Sequence, residues 1–97
     1  MTIETLSIET DNVNGTLRRI WTIIEQRGWF VRSLLVEEKT DGGVHTWVQV
    51  SPTSDNRQIE TLRRQIDKLV NVRDIKLLER SRVQPSAFEE IPYAEAS

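Results

Sequence analysis

Ile3-Glu4-Thr5-Leu6-Ser7-Ile8-Glu9-Thr10-Asp11-Asn12-Val13-Asn14-Gly15-Thr16-Leu17-Arg18-Arg19-Ile20-Trp21-Thr22-Ile23-Ile24 changes its hydrophobic period partway along. Leu6 and Ile8 alternate with Thr5, Ser7 and Glu9, the period of two of a half-buried strand. Asp11 to Gly15 is a run of turn formers. Leu17, Ile20, Trp21 and Ile24 then fall at i, i+3, i+4 and i+7, the stripe of an amphipathic helix with Trp21 in the core. Asn14 is the expected N-cap and Gly28 the expected stop, a helix of about 13 residues and roughly 20 Å. One strand leading through a short turn into one helix is half of a split βαβ unit.

Outward from this stretch the same alternation repeats. Trp29 to Glu38 is rich in aromatic and β-branched residues and reads as a second strand. Its phase breaks between Val31 and the pair Leu34 and Val36, which a β-bulge near Ser33 reconciles, because one extra residue flips the alternation. Lys39-Thr40-Asp41-Gly42-Gly43 is a hairpin connection. In the third strand Val44, Thr46, Val48 and Val50 share one face, and His45, Trp47, Gln49 and Ser51 the other, until Pro52 ends it. Asp55 and Gln58 resemble a capping box for a second helix, striped by Ile59, Leu62, Ile66 and Leu69 and stopped at Asn71 in a left-handed conformation. Val72 to Arg80 is a fourth strand. Residues 82–97 carry two prolines and no period, which predicts a mobile tail in which Phe88, Ile91 and Tyr93 could dock.

The predicted order is β-α-β-β-α-β. Two helices with one apolar stripe each need a common surface, and right-handed crossovers put both on one side of a four-stranded antiparallel sheet. The expected fold is therefore an α+β ferredoxin-like sandwich over residues 1–81, with the other face of the sheet uncovered. Large apolar residues expected on that face, Trp29, Leu35 and Trp47, are candidate interface positions.

Composition narrows the functions. The chain has 97 residues, enough for one domain, with 13 basic and 15 acidic side chains and a formal charge of −2. Bulk charge therefore does not favour nucleic-acid binding. Trp47 could stack a base as in an RNA-recognition sheet, but the first strand offers no ring beside it. No cysteine is present, and one histidine cannot build an imidazole metal cluster, so no metal or cofactor is expected. His45, on a strand and without a triad, reads as a surface or interface residue, and no catalytic residue is expected. Glu37-Glu38 and Glu89-Glu90 are adjacent in sequence and point apart in extended chain, as solvated charges do. No apolar run approaches the ~20 residues of a membrane span. The opening Met1-Thr2-Ile3-Glu4 lacks the pattern of a secretory signal, so a cytoplasmic location is expected.

The turn before the first helix admits two readings. In the first, Asn14 simply caps and Gly15 simply turns. Alternatively, free amides at the helix start attract a carboxylate, Gly15 lets it approach, and Asn12 and Asn14 add polar groups, which suits a small zwitterion such as an amino acid.

Asp11-x-x-x-Gly15-x-Leu17-x-x-Ile20 followed by Glu25-Gln26-Arg27-Gly28-Trp29-Phe30-Val31 resembles the signature of ACT domains. More narrowly, Asn12-Val13-Asn14-Gly15-Thr16-Leu17, the Arg27-Gly28-aromatic junction and Gln65-Ile66-Asp67-Lys68-Leu69-Val70-Asn71-Val72 resemble the small regulatory subunits of acetohydroxyacid (acetolactate) synthase. The resemblance spans Ile3 to about Arg80, and the tail matches nothing in it. It implies a non-catalytic subunit that binds and activates the thiamin-diphosphate-dependent catalytic subunit, often conferring feedback inhibition by a branched-chain amino acid. It also implies homodimers joined through sheet edges, with effector between the first helix of one copy and the second strand of the other. Carried over, Asn12, Asn14, Gly15, Thr16 and Leu17 line the carboxylate end, with position 30 and Val31 reaching the amino acid. Where valine-responsive members place an Asn, this chain has Phe30, which cannot make the same hydrogen bonds; valine feedback is then expected to be weak or absent. A free-standing ACT-type amino-acid sensor for another enzyme or a transporter is the alternative.

Overall fold

The computed structural model describes residues 2–78. The strand expected from Leu6 and Ile8 is β1 (Glu4–Asp11), and the helix after it is α1 (Thr16–Gln26). Then come β2 (Trp29–Glu38), β3 (Gly43–Pro52), α2 (Ile59–Asp67) and β4 (Val72–Leu78). The sheet is antiparallel throughout in the order β2-β3-β1-β4, so β2 and β4 are its edges. This is the βαββαβ ferredoxin-like arrangement. The boundary expected at residue 81, the tail and the docking residues Phe88, Ile91 and Tyr93 lie outside the described residues. No helix among the described residues is long and apolar enough to cross a membrane.

The register of β2 on β3 shifts between Val31 and Ser33, the bulge that the broken alternation demands. Val31 opposes Val50, Leu34 opposes Val48 and Val36 opposes Thr46, so after the bulge the apolar side chains return to the helix side. The hairpin closes with Lys39 N–H donating to the Gly43 carbonyl at 2.8 Å and Gly42 at φ +89°.

Both helices pack on one face. Leu6 and Ile8 of β1, Ile20 and Ile24 of α1, Val48 and Val50 of β3, Leu62 and Ile66 of α2, and Ile75 of β4 form one buried cluster. Trp29 belongs to it at 4% exposure, a correction to its expected place on the uncovered face. The reason is parity: Trp29 is two residues before Val31 and shares its side of the strand. Trp21 is the converse correction, 39% exposed where a core side chain is expected. Helix α1 turns Thr16, Ile20 and Ile24 inward, which leaves Leu17 and Trp21 on the flank of the apolar stripe.

The helix ends also differ from expectation. α1 is capped by Gly15 at φ +90° and not by Asn14, and no side-chain cap hydrogen bond is made. A left-handed backbone there requires glycine. α2 starts after Gln58, in extended conformation and without a side-chain cap, so Asp55 and Gln58 form no capping box. Among the described residues only glycines have positive φ, which removes the left-handed stop at Asn71; successive turns, Leu69 N–H to the Ile66 carbonyl and Val72 N–H to the Leu69 carbonyl, end α2 instead. Gly28 does stop α1 as expected, at φ +86°.

Candidate functional site

The turn from β1 into α1 opens on a cavity of about 210 Å³. Asn12, Asn14, Gly15, Thr16 and Leu17 all line it, together with Thr10, Asp11 and Val13. Its far wall is apolar and comes from elsewhere in the chain: Ile20 of α1, Val36 of β2 and Val44 of β3, beside the buried Thr46. These wall residues escape a reading of local sequence. The strand register brings them there, since Thr10 opposes Val44 and Val36 opposes Thr46. The helix-side parity of Val44 and Thr46 is the signal that could have found them once β3 was known to lie between β1 and β2.

The turn is held at its base. Asp11 N–H donates to the Asn71 carbonyl at 2.9 Å, Thr16 N–H to the Val13 carbonyl at 3.1 Å, and Asn71 Nδ2 to Thr16 Oγ1 at 3.4 Å. Arg73 Nε meets Asp11 Oδ1 at 2.6 Å, so the one carboxylate of the turn is already countered. The first turn of α1 contains no acidic residue and no side-chain cap, which leaves its partial positive charge to the cavity. An addition of a Cβ at Gly15 would meet nothing within 4 Å, so glycine serves the backbone conformation there and the mouth is open. The arrangement can take an anionic group at the helix start and a short apolar group against Ile20, Val36 and Val44. The volume is below the ~300–1,000 Å³ of drug-sized pockets, on the scale of one small metabolite.

Phe30 and Val31 do not join this cavity within one chain. Phe30 opposes Ser51 on the helix-free face, 51% exposed, with the Arg32 guanidinium 5.2 Å from its ring centroid. Val31 packs against the core.

Leu35 and Trp47 do lie together on the helix-free face, directly opposed in the β2–β3 ladder and half-buried. The His45 ring stacks on Trp47 with centroids 3.8 Å apart and 13° between planes. His45 Nε2 and Ser7 Oγ are 2.6 Å apart. Burial holds His45 below its ordinary pKa, while Glu9 and Glu37 act the other way. The Lys39 hydrogen bond holds the Glu9 carboxyl below its usual range. Among the described residues no group of three or more His, Asp or Glu is placed to hold a metal ion.

Comparison with known proteins agrees with the architecture. The family model described as ACT domain matches residues 12–75. The acetolactate synthase small subunit of Thermotoga maritima is 25% identical, with a TM-score of 0.70 over 82% of this chain and 49% of that one. This chain thus spans about half the length of that small subunit. The ACT domain of GTP pyrophosphokinase from Chlorobium tepidum is 17% identical, with a TM-score of 0.64 over 78% of this chain and 96% of that one. A formyltetrahydrofolate deformylase from Pseudomonas putida KT2440 is 11% identical, with a TM-score of 0.67 over 80% of this chain and 29% of that one. The last two show the fold alone. A search among curated proteins finds no sequence match.

Proposed function

The chain belongs to the ACT domain family, whose members are regulatory modules, and from that premise we propose that it is the regulatory subunit of an acetohydroxyacid (acetolactate) synthase. It binds the thiamin-diphosphate-dependent catalytic subunit and raises its turnover in branched-chain amino acid biosynthesis. The observation that carries this reading is the 25% identity and 0.70 TM-score to the Thermotoga maritima small subunit. The cavity at the β1–α1 turn supports an amino-acid effector class: helix-start amides for the carboxylate, and Ile20, Val36 and Val44 for an aliphatic side chain.

The active form on this reading is a homodimer joined along β2. That strand is an edge, and an edge offers unpaired backbone groups to a second copy. The side chains bordering it support the same seam: Leu17, Trp21 and Val36 are 36%, 39% and 42% exposed, and Leu17 and Trp21 flank Leu34 in a shallow apolar recess. In such a pair the partner's β2 brings the backbone around its Phe30 and Val31 towards the cavity, the Phe30 ring itself lying on the helix-free face. An effector contact that needs an amide at position 30 is then lost, and leaving a polar group unpaired costs about 1–3 kcal/mol, roughly ten- to hundredfold in affinity. Valine feedback is weak or absent.

Reconstitution tests the reading. The catalytic subunit from the same organism is assayed with and without this chain, then with valine. Higher turnover on addition, little changed by valine, is expected, and Phe30→Asn should restore a valine response. No binding and no activation would instead favour a free-standing amino-acid sensor.

A further inference from the structure

At the end of α1 opposite the β1–α1 turn, about 16 Å away at 1.5 Å per residue, lies a second cavity of about 320 Å³. It is walled by Arg27, Arg57, Asn56, Gln58 and Thr61, with the indole of Trp29 at its base. None of its lining residues is acidic, although the chain carries 15 acidic residues against 13 basic ones. Arg27 Nη2 donates to Gln65 Oε1 at 3.0 Å, a neutral partner. Arg57 makes no ion pair with a described residue, and Asp55, two residues before it, does not reach it. Two guanidinium charges thus line a cavity that no carboxylate lines, while on its other side Arg57, with Trp29, borders a further cavity of about 530 Å³ that Glu4 and Asp55 also line.

Arg57 is exposed and lies over the turn after α1. The Gly28 carbonyl accepts both Thr53 N–H at 2.9 Å and Thr53 Oγ1–H at 2.8 Å, which pins the segment after β3 to the turn after α1. The guanidinium then lies directly over Gly28, where a Cβ would meet Arg57 Nε at 2.5 Å. Glycine is favoured here by φ +86°, and a Cβ would displace only the flexible end of Arg57.

We propose that this cavity is a second, separate ligand site that takes a carboxylate group, presented by a small free acid or by an acidic side chain of a protein partner. Guanidinium groups match carboxylates in a planar, two-point geometry, and the amide and hydroxyl groups of Asn56, Gln58 and Thr61 add further donors. A concave cationic site also concentrates anions around it.

The test is a nuclear magnetic resonance titration of the full ¹⁵N-labelled chain, following the Arg27 and Arg57 Nε–H and Trp29 indole N–H signals. Citrate and a short polyglutamate peptide are added separately, with sodium chloride at matched ionic strength as control. Saturable shifts at Arg57 and Trp29, absent from Trp47, are expected, and Arg57→Gln or Arg27→Gln should weaken binding roughly tenfold or more. Arg19→Gln, at the other end of α1, should bind as the parent does. Saturation by citrate identifies the free-acid source, and saturation by the peptide alone a partner's side chain. No saturable shift with either probe, an equal response to sodium chloride, or indifference to Arg57→Gln overturns the proposal. Shifts caused by valine would appear at Gly15 and Thr16, so this site and the effector reading fail independently.

Discussion

Trp21→Gln separates two places for one indole, the core that its helical spacing suggests and the flank where the structure puts it. An aromatic side chain buries about 150–250 Å², so 39% exposure leaves on the order of 100 Å² open to solvent. At about 25 cal/mol per Å², covering that area in a dimer is worth up to ~2.5 kcal/mol per copy. A twofold seam contains two copies, which makes ~5 kcal/mol an upper limit and about a hundredfold loss of dimer affinity a modest expectation. The single chain covers the rest of the ring, so the monomer should lose about 1–3 kcal/mol, with helix propensity little changed by glutamine. A core aromatic would instead cost ~3–5 kcal/mol on truncation. Sedimentation equilibrium gives the first quantity, and urea unfolding at a dilution where both proteins are monomeric gives the second. A dimer constant unchanged within about threefold would place the seam elsewhere. A loss of ~3 kcal/mol or more in the monomer would return Trp21 to the core.

Leu62→Ala removes a fully buried side chain of α2 and should cost ~2–5 kcal/mol, lowering the urea midpoint by roughly 1–3 M; a loss below 1 kcal/mol would contradict the packing of α2 on the sheet. For His45, burial lowers the folded pKa beneath the unfolded value, so the unfolded chain takes up the proton first. Its contribution is fully present above about pH 6.5 and is lost as pH falls through the lowered folded value. The urea midpoint of the parent should therefore drop between pH 7 and the lowered value more than that of His45→Gln, and equal drops would show that the stack on Trp47 and the contact with Ser7 do not couple to protonation.

Much of the fold is local and therefore readable. Leu6 and Ile8 announce a strand, the change of period at Asp11 to Gly15 announces a helix, and the phase break between Val31 and Leu34 locates the bulge to within two residues. Gly28 and Gly42 mark chain reversals because only glycine takes their backbone angles cheaply. Helix starts are less readable. Asn14 and Asp55 are good cap residues by type and Gln58 a good capping-box partner, yet neither helix uses a side-chain cap, because a cap depends on where the preceding loop leaves the sheet.

The candidate site divides in the same way. Asn12, Asn14, Gly15, Thr16 and Leu17 are contiguous, and their gathering around one cavity is a property of the turn itself. Val36, Val44 and Thr46 complete it from two other strands and become visible only with the order β2-β3-β1-β4. Arg27 and Arg57 likewise line one cavity, thirty residues apart in the chain and brought together only by the fold.

From the amino-acid order alone come the kind and succession of the elements, because helix and strand periods are properties of consecutive residues. Which tryptophan is inside was decided by tertiary structure: Trp29 is buried and Trp21 exposed, the reverse of the expectation. An apolar stripe states which residues want cover, but cover is supplied by whatever element the topology places against it, and α1 turns Thr16, Ile20 and Ile24 inward, leaving Trp21 at the flank.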